Sequence, residues 1–181
     1  GGSKISTKIN VITSLIKTVN NLIIVGAMAN NFFIYKNFKV GKSLVEKDTN
    51  EIIKNIYKKA KENSCDILIP VDCIVSTDFQ GEGENKNLDE IQDNEIILDI
   101  GINTRDNIKK KIDESNTVLW NGPAGYFENI NFSKGTLSIA ENISKNTINK
   151  SLISVLGGGD TLAAINKSKS KLSFSHLSTA G

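Results

Sequence analysis

Cysteine is nearly absent. Cys65 and Cys73 are the only two in 181 residues, too few for a disulfide framework, and no second Cys pair or His cluster accompanies them to build a zinc site. Both are expected as buried, small apolar groups in a reduced, cytoplasmic setting. Arginine and histidine are scarcer still, with Arg105 and His176 the single example of each. Against 22 basic residues stand 20 acidic ones, for a net charge of +2. That balance lacks the clustered positive charge of a nucleic-acid binder. No apolar stretch reaches the roughly 18–20 residues of a membrane helix, because each is broken by Lys, Asp or Asn. The opening Gly1-Gly2-Ser3-Lys4 carries no charged-then-apolar signal pattern and looks like a start in mid-fold. Neither nucleic acid nor a membrane is therefore expected as a partner.

What is present suits one compact domain over residues 1–181, since 39% hydrophobic residues can fill a single core at this length. Short bursts rich in β-branched residues recur at Asn21 to Gly26, Asp66 to Pro70, Glu95 to Ile100, Thr117 to Gly122 and Ser151 to Gly157, each ending near Gly or Pro. Between them, helical spacing is expected over Lys4 to Val19, Ala27 to Tyr35, Glu46 to Glu62, Arg105 to Glu114, Ser133 to Lys145 and Thr161 to Lys167. Strands alternating with helices predict an α/β fold with a mostly parallel sheet, and the near-continuous apolar strands predict cover on both faces. The Gly-, Asn- and acid-rich stretch from Asp78 to Asp93 reads as an exposed excursion or hairpin.

In parallel α/β sheets, ligands bind where strands run into helix N-termini and backbone N–H groups point outward. Four segments meet that condition. In Gly1-Gly2-Ser3-Lys4, continuing to Lys8, glycines admit a phosphate and two lysines four apart rise from one helix face; a pair of solvated surface lysines is the bland alternative. Gly157-Gly158-Gly159-Asp160-Thr161 can wrap anionic oxygens with amides while Asp160 holds a hard cation, or can be an ordinary flexible helix cap. Trp120-Asn121-Gly122-Pro123-Ala124-Gly125-Tyr126-Phe127-Glu128 ends in an acid suited to ribose hydroxyls, or is a tight turn beside core aromatics. The turn at Gly26 says little alone.

Other matches fail. Gly41-Lys42-Ser43 copies the end of a phosphate-binding P-loop, yet Lys36 stands where its first glycine is required. Gly81-x-Gly83 lacks the third glycine of a dinucleotide fingerprint, which disfavours a Rossmann-type dehydrogenase. His176 has no Ser or Cys partner at a recognisable elbow and reads as structural.

Taken in order, Gly1-Gly2-Ser3-Lys4-Ile5-Ser6-Thr7-Lys8, the turn at Gly26, Leu68-Ile69-Pro70-Val71-Asp72, Asp99-Ile100-Gly101, Trp120-Asn121-Gly122-Pro123 with Phe127-Glu128, Gly157-Gly158-Gly159-Asp160-Thr161 and Ser175-His176-x-Ser178-Thr179 resemble phosphoglycerate kinase along the whole chain. The resemblance implies a three-layer, Rossmann-like C-terminal domain that holds Mg2+ with ADP or ATP in a glycolytic, cytoplasmic, monomeric enzyme. It makes Lys4, Gly158 and Gly181 catalytic positions and gives the nucleotide to Gly1, Gly2, Lys8, Gly26, Gly101, Asn121, Gly122, Pro123, Glu128, Gly158, Gly159, Asp160 and Thr161, with Asp160 as the metal-linked acid. It also implies that an arginine-rich partner domain binding 3-phosphoglycerate is absent, that both ends of this domain are cut, and that the chain alone turns over little or nothing. Ala27 and Val25 stand where the family usually has glycine, Tyr126 where it has a small aliphatic residue, and Ala180 interrupts a terminal glycine run.

Overall fold

The computed structural model describes residues 1–150, 152–168 and 171–178. Its strands are β1 (Asn21–Ile23), β2 (Asp66–Leu68), β3 (Asp72–Ser76), β4 (Glu84–Asn87), β5 (Ile96–Ile100), β6 (Thr117–Asn121), β7 (Ile153–Gly157) and β8 (His176–Ser178). The helices are α1 (Ile9–Leu15), α2 (Ala29–Tyr35), α3 (Asn50–Glu62), α4 (Ile102–Asp113), α5 (Lys134–Lys150) and α6 (Gly159–Asn166). Pairing is parallel for β1 with β2 and for β6, β7 and β8, and antiparallel for β4-β3-β5. The chain is thus α/β, with a parallel majority and an antiparallel patch inserted between its two parallel parts.

Two apolar clusters sandwich the strands. One gathers Ile12 from α1 and Ile16 just beyond it, Phe32 and Phe33 from α2, and Ile53 and Ile56 from α3, with Ile24. The other gathers Ile108, Ile112, Ile139 and Ile143 from α4 and α5 with Val25, Trp120 and Leu156. Ile24 and Val25 are consecutive yet join opposite clusters, as neighbours on an extended chain must. The sheet edge after β1 is therefore covered on both faces, the condition that near-continuous apolar strands require. Both cysteines are free and buried, and burial pushes the Cys73 thiol far above its ordinary value.

Several boundaries differ from the sequence reading. The first helix is split into a 3-10 turn at Ser6–Lys8 followed by α1. The third begins at Asn50 rather than Glu46, because residues 36–49 form a loop pinned by Asn30 Nδ2 donating to the Leu44 carbonyl and Asn31 Nδ2 to that of Glu46. β3, β4 and β8 were not expected as strands. β4 reads Glu-Asn-Lys-Asn, with no apolar residue to signal it, and exists because its backbone pairs with β3. Within the excursion from Asp78 to Asp93 only β4 is a strand, and it forms a hairpin with β3, which precedes that stretch. Among the described residues no helix is long and apolar enough to cross a membrane.

Candidate active site

Three segments far apart in sequence meet where β1, β6 and β7 end. The Gly1 nitrogen donates to the Asn121 carbonyl at 2.7 Å, and Met28 N donates to the Gly2 carbonyl at 2.9 Å. The opening residues therefore lie across the ends of β1 and β6. Backbones cross here so closely that a Cβ on Gly1 would overlap the Pro123 carbonyl, and one on Gly122 would overlap that of Gly1. A Cβ on Gly26 would come within 2.8 Å of Gly2 N. Gly26 and Gly122 also have φ of +74° and +93°, a region costly to any residue with a Cβ. Gly1, Gly2, Gly26, Gly122 and Pro123 thus form one junction.

The side chains around it are tied in turn. Lys8 Nζ donates to the Gly1 carbonyl and to Asn121 Oδ1, both at 2.7 Å. Burial lowers the Lys8 pKa below its ordinary value, while the charge of Asp160 acts to raise it. The Gly122 N–H donates to Thr161 Oγ1 at 2.7 Å, and Trp120 Nε1 to the Gly122 carbonyl at 2.8 Å. Thr161 is fully buried, so its hydroxyl braces two glycine turns together. Gly159 has nothing within 4 Å of where a Cβ would stand, and Asp160 beside it is exposed. Lys4 is likewise exposed on the same opening segment.

The chain that builds this junction of glycines is similar to known proteins along its whole length. The family model described as phosphoglycerate kinase matches residues 1–181. The chain belongs to the phosphoglycerate kinase family. It is 43% identical over 183 residues to the phosphoglycerate kinase of Xanthobacter autotrophicus, covering 100% of this chain and 46% of that protein. To the corresponding protein of Bartonella tribocorum it is 40% identical with the same coverage. The solved phosphoglycerate kinase of Coxiella burnetii superposes with a TM-score of 0.90 at 37% identity, over 100% of this chain and 46% of that one. That of Pyrococcus horikoshii gives 0.75 at 25% identity, over 100% and 45%. The chain therefore spans about half the length of the phosphoglycerate kinases it matches.

Other expected site residues lie apart from the junction. Glu128 is exposed and borders a hollow of about 80 Å³ with Phe127, Ser133, Thr136, Ala164 and Lys167. Lys167 Nζ covers the Phe127 ring at 5.1 Å. Neither Lys8 nor Asp160 lines that hollow; Asp160 is linked to it along α6, where Ala164 stands one helical turn beyond. Gly101 is placed against Asp72 instead of Lys8: its N–H donates to the Asp72 carbonyl, and a Cβ there would overlap the Asp72 carboxylate. Gly181 lies outside the described residues.

Phe79 was not foreseen. Its ring meets Tyr126 edge-on, centroids 5.1 Å apart, and Asn129 and Asn131 tie its loop down by donating to the Phe79 and Gly81 carbonyls. A lone Phe in an acidic stretch gives no local signal of such a contact. The bracing roles of Asn121 and Thr161 are equally invisible locally, because each depends on a partner 39 or more positions away.

The family implies a nucleotide substrate with Mg2+. Among the described residues no three His, Cys, Asp or Glu side chains gather into a metal cage. Mg2+ does not require one, since it commonly takes one or two carboxylates and completes its shell with phosphate oxygens and water. The single exposed Asp160, beside an unobstructed Gly159, fits that pattern.

Proposed function

We propose that the chain supplies the nucleotide half of phosphoglycerate kinase, holding ADP or ATP with Mg2+ for reversible phosphoryl transfer between 1,3-bisphosphoglycerate and ADP in glycolysis. The carrying observation is the convergence of Lys8, Asn121, Gly122 and Thr161 on one backbone junction, with Asp160 at its rim. Phosphoryl transfer needs positioning and charge stabilisation more than covalent help. Amides from Gly158 to Thr161 would face the phosphates, and Lys8 would neutralise them. Lys4 would meet the charge of the group in flight. Asp160 would hold Mg2+ together with the phosphates, Mg2+ supplying charge neutralisation, and Glu128 would accept from ribose hydroxyls. Gly26, Gly101, Asn121, Gly122 and Pro123 would line the pocket of base and ribose.

The acid substrate would be held by a second domain outside these 181 residues. Arg105, the only arginine, cannot reproduce an arginine-rich patch. The isolated chain is accordingly expected to bind nucleotide without turnover, in a cytoplasmic and monomeric enzyme. Calorimetry with Mg-ADP tests this: heat of binding that falls on Lys8→Ala and on Glu128→Ala is expected, and 3-phosphoglycerate should give none. Equal ADP affinity in all three proteins would refute the assignment of these side chains. A non-catalytic structural or nucleotide-holding role is the alternative, favoured by that lone arginine. Flat titrations with unprotected amides from Gly157 to Thr161 would select a purely structural role.

A further inference from the structure

We infer that Asn121 is a positioning residue for Lys8, its carboxamide fixing the direction in which the lysine offers its last free N–H to an anion. The inference rests on the nucleotide-site reading above and adds to it a residue that acts through another. An ammonium has three donors and no acceptor. Two of the three are committed, to the Gly1 carbonyl and to Asn121 Oδ1 at 2.7 Å each. Two fixed acceptors on a tetrahedral nitrogen define where the third N–H points. The lysine is aimed without a carboxylate partner that would cancel its charge.

The carboxamide is itself held. Only its oxygen can face an ammonium, so Nδ2 must turn away from Lys8. A Cβ on Gly158 would stand 3.2 Å from Asn121 Oδ1, and one on Gly157 would stand 3.3 Å from Nδ2. The triglycine turn therefore leaves room for a flat amide laid against it, a role separate from cradling phosphate. The Asn121 backbone is fixed on three sides: its carbonyl accepts from Gly1 N, its strand position pairs with Gly157, and the next residue is braced by Thr161. Both acceptors that aim Lys8 are thus mounted on one rigid junction. A long lysine side chain would otherwise lose its rotamer freedom only when the anion arrives.

The test uses the chain and its variants Asn121→Ser, Asn121→Leu and Asn121→Asp. In 15N–1H spectra of lysine ammonium groups, Lys8 should give a signal slowed in proton exchange; Asn121→Ser and Asn121→Leu should lose it, and Asn121→Asp, which keeps the acceptor, should retain it. Affinity for Mg-ADP should fall about tenfold in Asn121→Ser. In a Lys8→Ala background the same substitution should cost much less, since the part of its effect beyond a wall contact runs through the lysine. An undiminished, again tenfold loss of affinity in that background would mean that Asn121 acts on the nucleotide without the lysine, and would overturn the inference. So would a Lys8 signal that survives Asn121→Ser. If the parent chain shows no ADP binding, the nucleotide reading fails, while the ammonium spectra still decide whether Asn121 holds Lys8.

Discussion

Gly122 and Gly159 belong to the two glycine turns of the site, but their surroundings separate structural from functional need. Gly122 has φ of +93°, and a Cβ on it would run into the Gly1 carbonyl. Gly159 opens α6 with nothing near a Cβ. Gly122→Ala should therefore destabilise the chain by about 2 kcal/mol or more through strain and overlap. Gly159→Ala should leave stability unchanged or raise it by about 0.5–1 kcal/mol, since alanine suits a helix better. If phosphates approach the backbone there, Gly159→Ala should nevertheless weaken Mg-ADP binding about tenfold. Urea unfolding and calorimetry on the two variants separate these outcomes.

Asp72 shows the same division from the side of a buried charge. Its carboxylate is fully buried and accepts from Asn103 N at 2.9 Å, Thr104 N at 2.8 Å, Thr104 Oγ1 at 2.6 Å and Asn85 Nδ2 at 3.2 Å. Burial alone would raise its pKa, but the Thr104 hydroxyl and the two amides outweigh it and hold the carboxyl below its ordinary value. It caps α4 from 30 residues away in sequence. Asp72→Ala would leave those donors buried without an acceptor and should cost about 3 kcal/mol or more, read as a shift of the urea midpoint. Because its folded pKa is depressed, its contribution is present above about pH 4 and is lost as pH falls through the folded value. The sequence made Gly101 conspicuous as a glycine, yet its reason, the Asp72 carboxylate it must clear, is a tertiary fact.

At the scale of elements, local pattern located the helices and the strands β1, β2, β5, β6 and β7 because each buries apolar residues at its own period, but it missed β3 and β8. It failed at β4, where backbone pairing alone makes the strand, and at the antiparallel patch, which joins segments by turns instead of crossovers. That patch carries Asp99 in β5, 2% exposed and bonded by Gly135 N at 2.7 Å and Ile100 N at 2.9 Å. Burial pushes its carboxyl up to about 7, against the pull of those amides and of the Arg105 and Lys134 charges. A folded value above the unfolded one means that folding takes up a proton. Its contribution is full below about pH 4 and fades as pH rises through 7. Asp99→Asn cannot titrate, so its stability relative to the parent chain should improve by about 2 kcal/mol between pH 5 and pH 7. Paired urea melts at the two pH values measure this, and an unchanged difference would show that the two amides keep Asp99 ionised throughout.

At the scale of the whole molecule, the glycine junction lies within the described residues, whereas the proposed reaction calls for a second domain. The junction of Gly1, Asn121, Gly122 and Thr161 is built entirely from this chain, and its ties do not depend on a second domain. The chain nevertheless covers 46% of a related phosphoglycerate kinase and holds one arginine among its 22 basic residues. Binding an acyl phosphate calls for several guanidinium forks, and phosphoryl transfer calls for closure that excludes water and aligns donor with acceptor. Nucleotide affinity and turnover should therefore separate. The chain should bind Mg-ADP yet show no 3-phosphoglycerate-dependent ATP consumption in a coupled assay. Fusing it behind the N-terminal half of a related phosphoglycerate kinase should restore that consumption, and Lys4→Ala in the fusion should abolish turnover while changing ADP affinity less than Lys8→Ala does. Turnover by the chain alone would place acid-substrate binding within these residues; a fusion that binds both substrates but stays inactive would show that Ala27, Val25 or Tyr126 has reshaped the nucleotide side beyond catalytic use.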